Sequence, residues 1–125
     1  MLRMLMLTFF VLFGMESGVD AGQIESGSLF ACDTPDQVQQ LLDFINAGIP
    51  NEDAFYAVNQ TAGMDVCASV HVQYVRFEDL KDVAFIRDRA TITKIIVYRM
   101  YDENDYLLPF TIAEVQYTVL KSDTL

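Results

Sequence analysis

The sequence predicts an α+β domain: two short helices packed on a three- to four-stranded antiparallel meander, tied by one disulfide. Three observations predict it. A helical stretch opens at Thr34-Pro35-Asp36-Gln37. The apolar pattern changes to period two from Val66 onward. Two cysteines, Cys32 and Cys67, stand downstream of an apolar leader.

The leader sets the context for every bulk number. Arg3 precedes the apolar run from Met4 to Phe13, and Gly14 ends it. Val19-Asp20-Ala21 then places small residues where a signal peptidase reads, so residues 1–21 are expected to be a signal peptide. The run is shorter than the roughly 20 apolar residues a membrane span needs. The mature chain is therefore expected in the periplasm or outside the cell. Residues 22–27 read as a flexible tail and residues 28–121 as a single domain. Four of the six methionines leave with the leader, which removes any methionine-rich reading.

Losing Arg3, Glu16 and Asp20 takes the formal net charge from −10 to −9. Such a surface repels phosphate backbones and anionic lipids, so neither nucleic acid nor a membrane surface is an expected partner. A basic protein or peptide is compatible with it. The two cysteines form the only possible pair, and in an oxidising compartment an even pair reads as a disulfide. They are too few, with one distant histidine, for a structural zinc site. No metal and no cofactor is expected.

Each element has a local reason. Ser28 to Ala31 reads as a short strand leading to Cys32. Thr34 caps the first helix, Pro35 suits its first position, and Gln37 completes a capping box. Asp36 complements the helix dipole. Val38, Leu41, Leu42 and Ile45 make its buried stripe, and Gly48 and Pro50 stop it. Asn51 is expected to cap a second helix whose inner face is Ala54, Phe55, Val58 and Ala62, with Gly63 as its end. Asn59-Gln60-Thr61 matches a glycosylation triplet, but a helical position makes it a poor acceptor.

From Val66 a half-buried strand is expected, with Val66, Ala68, Val70, Val72 and Tyr74 on one side and Cys67, Ser69, His71 and Gln73 on the other. Glu78 to Arg89 reads as a charged connection holding an apolar knot, Val83 to Ile86. Thr91 to Tyr101 is a central strand, because both of its sides are apolar. Asp102 to Asp105 is a turn. Phe110 to Lys121 is the last strand, with Ala113, Val115, Tyr117 and Val119 inward.

Several segments together resemble a group of small exported proteins from alphaproteobacteria. The resemblance rests on Cys32-Asp33-Thr34-x-x-Gln37-Val38, Ala57-Val58-Asn59, Cys67 and Val72-x-Tyr74-x-Arg76, and spans roughly Phe30 to Val119. It implies an exported, periplasmic bacterial protein framed by one disulfide. It implies no activity and no catalytic residues.

The chemistry-bearing residues are few. His71 is the only histidine, and no nucleophile elbow, zinc-protease motif or phosphate loop accompanies it. A Ser69/His71 pair would still need an orienting acid and an oxyanion site. Asp102 to Asp105 lacks the further oxygen ligands of a calcium hand, since Tyr106 and Leu108 stand at the following alternate positions. Arg76 and Arg99 read as partners of nearby acids. Tyr101, Asp102, Glu103, Asp105 and Tyr106 together form the candidate binding patch, an aromatic pair around acidic residues. The expected function is a non-catalytic module binding a protein or peptide. The alternatives are a small hydrolase using His71 and a carrier of a small apolar ligand held near Phe44, Phe55 and Tyr117.

Overall fold

The computed structural model describes residues 23–121; the leader reading lies outside them. The elements are β1 (Ile24–Cys32), α1 (Pro35–Asn46), α2 (Asn51–Ala62), β2 (Cys67–Phe85), β3 (Asp88–Met100) and β4 (Glu114–Lys121). All neighbouring strands are antiparallel, in the order β1-β2-β3-β4. The fold is thus the α+β meander with two helices and one disulfide. It also closes: Ala31 pairs with Thr118 and Cys32 with Tyr117, which makes the sheet a barrel.

The first helix forms as its sequence dictates. Thr34 Oγ1 accepts from the Gln37 N–H at 3.2 Å, and Gln37 Oε1 accepts from the Thr34 N–H at 3.0 Å. Val38, Leu41 and Leu42 are fully buried. The second helix differs at its start. Pro50 holds the N-cap position without a side-chain cap bond, and Asn51 is already helical. Of its expected inner face, Ala54 and Val58 are buried, Phe55 is half-buried and Ala62 is exposed. Gly63 ends the helix at φ 76°, a conformation that suits glycine.

Closure gives the sheet two buried faces. On the outer face, Cys32, Cys67, Ala90, Ile92 and Val119 pack against the α1 stripe. On the inner face, Leu29, Val72, Tyr74, Ile95 and Val97 form a second cluster. Val72 and Tyr74, on the apolar side of the expected strand, therefore face the barrel interior, while Cys67, on the expected polar side, packs under the helices. Thr118, expected outward, is fully buried and donates to the Phe30 carbonyl at 2.6 Å. Apolar residues on both sides of β3 match its place between β2 and β4.

Three boundaries move. β1 begins at Ile24, so residues 24–27 are strand rather than tail: each pairs with β2, and Glu25 takes a forked ion pair from Arg76 at 2.8 and 3.1 Å. β2 continues through the expected connection to Phe85. Register shifts flank Phe77 and Leu80, and these extra residues erase the period-two signal. The last strand starts at Glu114 rather than Phe110, because Ala113 sits at φ 54°. Ala113 and Val115, both expected inward, are exposed.

Candidate functional site

The structure gathers the expected patch and His71 at one end of β3. The chain leaves β3 at Tyr101, whose N–H still donates to the His71 carbonyl at 3.0 Å. Tyr101 pairs with Leu107, and the Leu108 N–H donates to the Met100 carbonyl at 2.9 Å. Arg99 anchors the return by donating from Nε and Nη2 to the Leu108 carbonyl at 2.9 and 2.7 Å. Its partner is a carbonyl, not the acid the sequence pointed to; Arg76 does meet an acid, Glu25.

Asp102 organises the turn. Its Oδ1 accepts from the N–H groups of Asn104 at 2.8 Å and Tyr106 at 3.0 Å. Its own carbonyl accepts from the Asp105 N–H at 3.0 Å. Asp105 then adopts φ 65°, a left-handed conformation that aspartate tolerates better than most residues. Asp102 is thus committed to shaping the turn.

The turn is fastened to the sheet by side chains. The His71 ring stacks on Tyr101, centroids 4.0 Å apart and planes 15° apart. His71 Nδ1 lies 3.2 Å from Asp105 Oδ1. The Tyr101 hydroxyl lies 3.2 Å from Ser26 Oγ on β1. Tyr101 is half-buried by these contacts, whereas Tyr106 is 71% exposed. Glu103, Asp105 and Tyr106 are the patch residues left facing solvent.

His71 gains from Asp105 the orienting carboxylate that the sequence did not reveal. Ser69 is exposed and pairs with Phe30 across the ladder. Among the described residues, no hydroxyl is hydrogen-bonded to the His71 ring. Nor do any three His, Cys, Asp or Glu side chains among them converge as a metal site. Phe44, Phe55 and Tyr117 pack onto the outer-face core. Among the described residues, one surface pocket of about 290 Å³ lies at Tyr56, Gly63 and Met64, and another of about 410 Å³ at Ile86 and Arg87; Phe44, Phe55 and Tyr117 line neither.

Two asparagines matter that sequence reasoning missed. Asn59 Oδ1 accepts from the N–H groups of Val66 and Cys67 at 2.8 and 2.9 Å, and Nδ2 donates to the Cys67 carbonyl at 3.2 Å. The nitrogen that would carry a glycan is therefore engaged beside the Cys32–Cys67 disulfide. Asn46, the last residue of α1, donates to the Ala84 carbonyl at 2.9 Å and accepts from the Ile86 N–H. In the sequence Asn59 stood out only in a glycosylation triplet and in the resemblance segment Ala57-Val58-Asn59, and Asn46 did not stand out at all.

Among the described residues, Tyr74 is the one group whose acidity is clearly displaced. Burial raises its pKa above the usual phenol value, and the nearby Glu25 carboxylate adds to the rise. It sits in the barrel interior, 4% exposed, and takes no part in the turn.

Fold and disulfide together define a small α+β barrel domain. No family model, curated protein or solved structure matches the chain. No helix among the described residues is long and apolar enough to cross a membrane.

Proposed function

We propose that this chain is an exported, non-catalytic domain that binds a basic protein or peptide through the Tyr101–Tyr106 turn. One observation carries the reading. Tyr106, Glu103 and Asp105 stand exposed on a turn that Asp102 shapes and that His71 ties to the sheet through Asp105. A preordered turn loses little entropy on binding, and an exposed aromatic beside carboxylates suits a lysine or arginine side chain. The acidic net charge steers a basic partner toward the molecule. The leader and the disulfide support export.

The test is a titration of the mature, oxidised protein with a lysine-rich peptide at low and high salt. The reading expects saturable binding that weakens with salt. Absence of binding at low salt contradicts it. A hydrolase built on His71 is the second reading, and the Asp105 bond is what favours it. Replacing His71 by Ala separates the two: an enzyme loses all turnover, whereas a binding turn only loosens.

A further inference from the structure

We infer that the free edge of β1 is a self-association site, at which β1 of a second copy pairs antiparallel to extend the sheet. This inference concerns the backbone edge of β1 and does not depend on the turn reading, although the Ser26 side chain also meets the Tyr101 hydroxyl.

In an antiparallel strand, alternate residues direct their N–H and C=O to opposite sides. The Asp33 N–H donates to the Val66 carbonyl on the β2 side, while the Phe30 carbonyl accepts from Thr118 of β4. Ile24, Ser26 and Ser28 share the parity of Phe30, so their backbone groups point away from β2. Yet β4 pairs with β1 only at Ala31 and Cys32. Among the described residues, nothing is hydrogen-bonded to those backbone groups of Ile24, Ser26 and Ser28.

The other strand edges are handled differently. Beyond Val75, β2 loses β1 as a partner; there the extra residues Phe77 and Leu80 interrupt its edge, and at its end Asn46 meets the Ala84 carbonyl and the Ile86 N–H. β4 is cut short by the left-handed Ala113 and begins with the charged Glu114. Natural edges are commonly blunted with proline, lysine or a bulge. The Ile24–Ser28 stretch has none of these: it pairs with β2 without a register shift and contains no proline or lysine. Its one charge, Glu25, is already held by Arg76.

The occupant follows from register and from the strand's own side chains, which set no like charges opposite one another. A two-fold axis at Ser26 places Ser26 opposite itself, Ile24 opposite Ser28, and Glu25 opposite Gly27. The outward-pointing residues of the two copies then meet as hydrogen-bonded pairs, and no carboxylate faces another. A foreign peptide is less well served, because small Ser26, Gly27 and Ser28 form no alternating pockets to read its side chains. Ile24, 58% exposed, continues an apolar row through Val75, Ile96 and Val115, which the second copy would partly cover.

The test is sedimentation equilibrium of the mature, oxidised protein from micromolar to sub-millimolar concentration, with hydrogen exchange read at Ser26 and Ser28. The inference expects a monomer–dimer equilibrium, with slower exchange of those two amides as concentration rises. Ser26→Pro removes an outward N–H and Ser26→Lys places like charges across the axis. Each should weaken association by about tenfold or more, Ser26→Pro through the loss of one or two net hydrogen bonds and Ser26→Lys through repulsion between directly opposed charges. Should Ser26→Pro fail to fold, Ser26→Lys decides alone. Tyr106→Ala should leave association unchanged. A chain monomeric throughout the range overturns the inference, as does association that survives Ser26→Lys. A monomer that binds the lysine-rich peptide overturns it while leaving the turn reading intact.

Discussion

The helix-covered side of the barrel and the far end of β3 are held by different means. On the helix side, one stripe of fully buried side chains, a capping box, the disulfide and the Asn59 amide all fix the same junction of β1, α1 and β2. At the far end, the turn is held by a stacked ring pair and polar contacts between half-buried and exposed side chains. Redundant apolar packing carries stability, and polar fastening sets a surface in place while leaving it accessible to a partner. Changes on the first side should cost stability, and changes on the second should cost binding.

The largest effect is expected from the disulfide. It closes a loop spanning both helices, with a sequence separation of 35. Replacing Cys32 and Cys67 together by Ala should destabilise the domain by about 4 kcal/mol on the chain-entropy model, measured by urea unfolding. A loss below about 1 kcal/mol would mean that strand pairing alone fixes the junction and would erase the contrast. Asn59→Ala comes next. It strands two strand-start N–H groups in a half-buried position and should cost about 2 kcal/mol in the same assay.

The smallest effect separates the barrel interior from the turn. Because the Tyr74 pKa is raised in the folded state, the stability linked to it is fully present below the ordinary phenol value. It is lost as pH rises through the folded value. The wild-type unfolding free energy should therefore fall more steeply above about pH 10 than that of Tyr74→Phe. Equal slopes would show that Tyr74 ionises in the fold as it does in the open chain.

What the sequence made legible was local. The Thr34–Gln37 box, the α1 stripe and the Gly63 stop each depend on residues a few places apart, and each is present. The disulfide was readable because only one pairing existed. The course of β2 through residues 76–85 was not readable, since Phe77 and Leu80 each add a residue that breaks the alternation. Closure of the barrel was hidden for a different reason. Thr118 has the pattern of an outward residue until Phe30, far away in sequence, supplies its acceptor. The Asp105–His71 contact and the Asn46 clamp likewise join residues 34 and 38 apart. The sequence singled out the turn as a candidate patch, but not the division of labour by which Asp102 builds the turn and Tyr106 is displayed.

The most direct test is peptide affinity and thermal stability measured side by side for Tyr106→Ala. Tyr106 is 71% exposed, so its removal should leave the unfolding midpoint unchanged. Affinity for the lysine-rich peptide should fall by about three- to tenfold, the size of an exposed aromatic contact with a cation. Unchanged affinity would contradict the account, because the turn would then display a residue that no partner uses.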